Sequence, residues 1–190
     1  ELKCIGCGRL FEITEDRILR LVSNRTKSLP QEYNNPDYLK MSELFDETSD
    51  YFTESNKIFG AIHDSSHKII ASWIETNTST GWTCDLGCGR GFHRKFYKGN
   101  PSHLIGVDFR LESLRAYRSK ELDPILIQAD LTRLPFKDST ISSIISVYSL
   151  EHIYHLSDAV SEMARVAQSR KRHYIGLPCE GGMAWGLGRK

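Results

Sequence analysis

Three observations predict an α/β fold built on a doubly wound, mostly parallel sheet with helices on both faces. Five short apolar runs recur from Thr83 onward, helical apolar stripes separate several of them, and the first run ends in the glycine-rich turn of "TCDLGCGRGFH" (83–93). Strands that alternate with helices pair in parallel within an open sheet.

Taken in chain order, the first 28 residues carry "CIGC", then "FEIT" and "RILRLV", consistent with a small Cys-x-x-Cys hairpin set apart from the rest. Residues 29–55 have Pro, Asn and Ser punctuation with scattered aromatics and read as a linker or lid, and residues 56–190 form the main domain. Ile58, Phe59, Ile62, Ile69, Ile70, Trp73 and Ile74 repeat at helical spacing, which predicts a long amphipathic helix covering the sheet. The five strands are Thr83–Leu86, His103–Asp108, Ile125–Gln128, Ile141–Tyr148 and His173–Leu177. A helix is expected from Gly91 to Tyr97. Leu111, Leu114 and Tyr117 mark a helical face, as do Ile153, Leu156, Val160, Met163 and Ala167. Between the third and fourth strands, 130–140 contains Pro135 and is too short for a covering helix. It is long enough to cross two neighbouring strands, expected as a loop over the carboxyl edge of the sheet.

Composition bounds the function. With 25 basic and 24 acidic residues, the chain has no net charge to hold a nucleic-acid backbone or an anionic membrane. No apolar run approaches the length of a membrane span and the start lacks a signal-peptide core, so a cytoplasmic location is expected. Five cysteines without framework spacing read as free thiols.

The glycine loop carries the chemistry. Gly87, Gly89 and Gly91 remove side chains that would keep a ligand from the backbone, at the strand end where open sheets bind ligands. The spacing is G-x-G-x-G, not the G-x-G-x-x-G of dinucleotide enzymes, which disfavours a pyrophosphate clamp. Asp108 ends the second strand about 20 residues on, where a carboxylate can accept both ribose hydroxyls. Asp85 would repel phosphate and attract an ammonium or sulfonium centre. Together these favour a cationic nucleoside.

With "DLGCGRG", "GVD", "IQADLTRLPF" and "ISSIISVYSLEHI" in order at strand ends, the sequence resembles the class I S-adenosylmethionine-dependent methyltransferases over about 51–182, with their Rossmann-like fold and small-molecule branch. The resemblance implies that backbone around Asp85, Gly87, Cys88, Gly89 and Gly91 holds the methionine part of S-adenosylmethionine. It implies that Asp108 takes the ribose, Phe109 lies beside the adenine, Ala129, Asp130 and Leu131 border the adenine, and Val147 and Tyr148 sit near the sulfonium. The family continues past the fifth strand with a helix and two antiparallel strands, so either the chain is cut short or the sheet lacks its end strands. "PCEGGMAW" (178–185) resembles methyltransferases of polysaccharide biosynthesis, which implies a sugar or lipid-linked acceptor; a plain Gly-rich exit from the sheet explains it equally. A non-catalytic cofactor-binding module and an NAD-dependent oxidoreductase are the rival readings.

No catalytic residue is singled out. His152 is the best placed of the histidines as a general base, against a plainer role packing on the following helix. Glu151 and His152 resemble a metal-holding segment of ubiquinone-pathway methyltransferases, but Tyr148 stands where a further carboxylate is needed, and no metal is expected. Cys4 and Cys7 make half of a zinc site and read as a metal-free ribbon remnant. His63 and His67, one turn apart, read as boundary or substrate-facing residues, and Tyr51 and Phe52 as lid or core. The expected partner is a small-molecule acceptor; Arg170, Lys171 and Arg172 lack interleaved aromatics and do not suggest nucleic acid.

Overall fold

The computed structural model describes residues 1–6, 8–22, 36, 57–75, 81–120 and 124–178. The strands are β1 (Leu2–Lys3), β2 (Leu10–Ile13), β3 (Leu19–Arg20), β4 (Thr83–Leu86), β5 (Leu104–Asp108), β6 (Ile125–Gln128), β7 (Ser143–Val147) and β8 (Tyr174–Gly176). The helices are α1 (Lys57–Glu75), α2 (Leu111–Lys120) and α3 (Leu156–Val166). Among the described residues the strands form one sheet in the order β1-β2-β3-β6-β5-β4-β7-β8. From β3 to β8 every pairing is parallel, while β1–β2 and β2–β3 are antiparallel. The chain steps outward from β4 to β5 and β6, then returns to the other side of β4 as β7. The strand order therefore reverses between β4 and β7, and the crevice beyond their carboxyl ends is where such sheets bind ligands.

Both central strands are buried at every position, and apart from Asp85 of β4 they consist of apolar and small residues. Along β5 the pleat divides the core. Ile105 and Val107 face the cluster that includes Ala159, Met163 and Val166 of α3, whereas Leu104 joins Ile70 of α1 on the opposite face. Gly106 is on that second face too, where an added Cβ would come within 3.4 Å of the Tyr117 ring of α2. Helices thus cover both faces.

Three helical elements differ from the sequence expectation. The helix expected over 91–97 is a four-residue 3-10 turn, Phe92–Lys95, because Asn100 caps a second turn beginning at Pro101 and leaves too little chain for a crossing helix. The buried face of α3 is Ala159, Met163 and Val166, offset from the expected stripe: Leu156 and Val160 are exposed, and small Ala159 lets the helix approach the sheet. Likewise Ile62, Ile69 and Trp73 of α1 are about half exposed, and Ile70 and Ala71 make the contact. The helix is also tied to the sheet edge, where the Tyr174 hydroxyl donates to the Trp73 carbonyl at 3.0 Å.

The 130–140 connection crosses two strands, β5 and β4, as expected, but not along the carboxyl edge. Since β6 and β7 are parallel, the chain must travel back along their length, and Leu131, Leu134 and Ile141 pack in the α3-side cluster on the way. Arg165 of α3 straps it down. Its guanidinium donates to the carbonyls of Leu134 (3.0 Å) and Phe136 (2.8 Å), to Asp138 (2.7 Å) and to both oxygens of Glu162.

The N-terminal segment read as a separate hairpin is continuous with the sheet. β3 pairs in parallel with β6, Leu19 opposite Ile127 and Arg20 opposite Gln128. Ile18 is fully buried among Cys88, Leu114, Tyr117 and Leu126. Apart from residue 36, the 29–55 linker or lid lies outside the described residues, as do Tyr51, Phe52, Cys7 and the segment from Cys179 onward.

Candidate active site

The glycine loop leaves β4 in three left-handed steps, with φ of 73° at Gly87, 51° at Gly89 and 78° at Gly91. Two of these glycines are required by the protein itself. A Cβ at Gly87 would lie 1.7 Å from Ser149 Oγ, and one at Gly91 would lie 2.3 Å from the Tyr117 ring. Gly89 is different: nothing stands within 4 Å of the position its Cβ would take. Its bare face opens outward from the loop, which is the cradle expected where a ligand approaches the backbone.

Four of the loop's amides are committed internally. Gly87 and Cys88 donate to the Val107 carbonyl at 2.8 and 3.1 Å, Gly91 donates to the Cys88 carbonyl at 2.9 Å, and Gly89 donates to Asp108 Oδ2 at 2.8 Å. These donors are therefore not the free N–H cluster that grips a pyrophosphate. Asp108 also accepts from the Arg110 amide through Oδ1 at 2.8 Å, so each carboxylate oxygen keeps acceptor capacity for a hydroxyl.

Asp85, 3 % exposed, is the second carboxyl group. Burial, and then the neighbouring Asp108, push its pKa up to about 7. Burial raises Asp108 as well, opposed by the amides of Arg110, Gly89 and Phe109 that bond to it. A buried acid held back from ionising by a neighbouring, partly buried one makes a site whose charge a bound cation would relieve. Burial also pushes the thiols of Cys84 and Cys88 up, so both are neutral space-filling groups.

The remaining expected residues surround the same strand ends. The Ala129 amide donates to the Asp108 carbonyl at 3.1 Å, and the Phe109 carbonyl accepts from Gln128 Nε2 at 3.0 Å. Ala129 and Leu131 are buried. Asp130 spends Oδ1 on its own turn, accepting from the amide (2.9 Å) and hydroxyl (2.7 Å) of Thr132, and only Oδ2 is left for a ligand. Val147 is buried at the end of β7. Tyr148 follows in the left-handed region at φ 55°, an uncommon state for an aromatic residue. It is held there by its amide on the Gly176 carbonyl (2.9 Å) and its hydroxyl on Ser66 Oγ of α1 (2.6 Å).

That contact brings α1 to the crevice, where His63 and His67, read from the sequence as boundary or substrate-facing, meet Phe92 and His93, which sequence reasoning missed. His63 stacks on Tyr148 with ring centroids 5.7 Å apart and meets Phe92 edge-on at 5.1 Å. His67 links His63 (Nε2 to Nε2, 3.3 Å) to His93 (Nδ1 to Nδ1, 3.2 Å). His67 is therefore not a boundary residue: it and His93 are buried, and burial lowers their pKa values to about 3 and about 4. The signal available in the sequence was the alignment of His63 and His67 on one face of α1 with Phe92 and His93 just past the loop. His152 lies in a 3-10 turn, Leu150–His152, about half exposed beside Glu151 at 3.9 Å. Among the described residues no cluster of His, Cys, Asp and Glu could hold a metal ion.

Residues 84–175 match a family model described as a methyltransferase domain. This stretch, just under half of the chain, is similar to methyltransferase domains. The match runs from β4 into β8 and takes in the carboxyl ends of β4, β5, β6 and β7. Demethylmenaquinone methyltransferase of Roseiflexus sp. is 32% identical over 94 residues, covering 47% of this chain and 40% of that protein. A Mycobacterium tuberculosis protein named "Probable S-adenosylmethionine-dependent methyltransferase" is 23% identical over 112 residues, 59% of this chain and 41% of its own length. The chain thus spans about two fifths of the length of these relatives. In fold, the chain is similar to a SAM-dependent methyltransferase of Thermotoga maritima, with TM-score 0.57, 14% identity, and coverage of 76% of this chain and 65% of that one. It is similar as well to the plantazolicin methyltransferase BpumL bound to SAH, with TM-score 0.52, 16% identity, and coverage of 76% and 55%. Among the described residues no helix is long and apolar enough to cross a membrane.

Proposed function

We propose that this chain transfers a methyl group from S-adenosylmethionine to a small-molecule acceptor. The observation that carries the reading is a buried Asp85 and a partly buried Asp108 on either side of a glycine loop in which the amides of Gly87, Cys88, Gly89 and Gly91 are spent inside the protein. Such a pocket suits a cationic nucleoside and gives a pyrophosphate little to bind, which speaks against a nicotinamide dinucleotide. The cofactor supplies a methyl carbon already activated by sulfonium, so the protein has to align nucleophile, methyl and sulfur.

In this reading Asp108 accepts the ribose hydroxyls and the bare face of Gly89 lets the methionine part lie against the backbone. Phe109 borders the adenine together with Ala129, Asp130 and Leu131, while Val147 and Tyr148 flank the sulfonium end. The rings of His63, Phe92 and Tyr148 then stand on the acceptor side, over the reversal between β4 and β7. A small-molecule acceptor is supported by relatives named for demethylmenaquinone and plantazolicin. The resemblance of 178–185 narrows the reading to a sugar or lipid-linked precursor.

Calorimetry of the purified chain tests the reading. S-adenosylmethionine and S-adenosylhomocysteine are expected to bind, and Asp108→Ala to weaken both by about 1–3 kcal/mol through the lost hydroxyl bonds. Binding of NAD without binding of either would overturn it.

A further inference from the structure

We propose that Arg20 and Gln128 are positioning residues for the adenine end of the site, through which the N-terminal hairpin sets the turn after β5. The inference rests on the reading above that Phe109 borders the adenine. Four groups form one bonded series. Arg20 Nη1 donates to Glu12 Oε2 at 2.6 Å, which orients the guanidinium on the hairpin. Its Nε donates to Gln128 Oε1 at 2.9 Å, across 108 residues of sequence. With its oxygen engaged, the amide of Gln128 has only its NH2 to offer on the other side, and Nε2 donates to the Phe109 carbonyl at 3.0 Å. The Arg20 contact therefore decides which way the amide faces.

The hairpin's main chain reinforces this arrangement: the Leu21 amide donates to the Gln128 carbonyl at 2.9 Å. Gln128 is 9 % exposed, so water does not readily replace a lost partner. Without Arg20 the amide is free to turn over, which would aim its oxygen at the Phe109 carbonyl and repel it. Phe109 lies between Asp108 and Arg110, whose amide holds Asp108 Oδ1 at 2.8 Å, so a shift of that peptide passes directly to the ribose carboxylate. The hairpin also reaches the glycine loop from below, because Ile18 shares its buried cluster with Cys88.

The test compares Q128E, R20M and R20K in the full chain, reading S-adenosylhomocysteine affinity by calorimetry and Tm by thermal unfolding. The Q128E carboxylate still accepts from Arg20, now as an ion pair, but has no hydrogen to give Phe109. It should bind about tenfold more weakly, with a Tm lowered by only a few degrees. R20M should lose a similar factor, and R20K, which restores a donor to Gln128, should recover to within about threefold of wild type. Wild-type affinity in Q128E and R20M overturns the positioning role, as does a loss that only follows a larger fall in Tm. If the wild-type protein itself binds no S-adenosylhomocysteine, the reading of the cofactor site fails first and this inference fails with it.

Discussion

Gly89 and Gly91 are two residues apart and both left-handed, yet alanine at each should fail for different reasons. At Gly91 the new methyl would collide with the buried ring of Tyr117, which has no room to withdraw. Gly91→Ala is expected to cost about 2–4 kcal/mol in urea unfolding. At Gly89 the methyl meets no protein atom and only the backbone angle resists, worth about 1–2 kcal/mol. Its main effect should be on S-adenosylhomocysteine affinity measured by calorimetry, since the methyl occupies the face left open to the ligand. Tyr148 shows the same conformation without glycine's freedom, and strain of this kind is characteristic of functional sites. Nothing in "SVYSL" signals it, because a tyrosine is not a residue chosen for positive φ. The tertiary bonds to Gly176 and Ser66 impose it instead.

α1 illustrates how one helix serves both packing and the crevice. Its C-terminal half holds β8 through Trp73, and its middle delivers Ser66, His63 and His67 to the strand ends. The imidazoles of His67 and His93 are neutral in the fold at neutral pH because burial depresses both. Around them stand His63, Asp64 and Lys95, with the Lys95 ammonium 2.7 Å from Asp64 Oδ1. Below about pH 6.5 the unfolded chain takes up protons that the folded rings refuse until about pH 4 and 3. Stability is therefore complete above 6.5 and falls on acidification through that window, by on the order of a few kcal/mol. Urea unfolding at pH 7 and pH 4.5 measures the difference, and His67→Phe should flatten it. The strand ends were legible beforehand, because runs such as "HLIGVD" and "ILIQAD" stop abruptly at acidic residues. The histidine cluster was not: periodicity treats a histidine as a polar boundary residue, and its burial depends on partners 26 residues away.

Across the whole molecule, parallel order and the two-strand crossing could be argued from spacing alone, but the join between hairpin and sheet could not. β3 contributes two residues to the ladder, too few for a pattern, and its side-chain link to β6 spans 108 positions. The join predicts how the protein unfolds. Ile18 is fully buried against the α2 face, so Ile18→Ala should lower stability by about 2–5 kcal/mol. Circular dichroism and tryptophan fluorescence should then record one transition at a lower midpoint, not a hairpin melting ahead of the sheet. The long return from β6 to β7, with no helix of its own, has a different kind of anchor. Its course is fixed by the flat fork of Arg165, which meets two peptide oxygens and two acidic side chains at once. Lysine would carry the same charge on a single rounded head, and so the route of this segment depends on molecular shape more than on the sign of the charge.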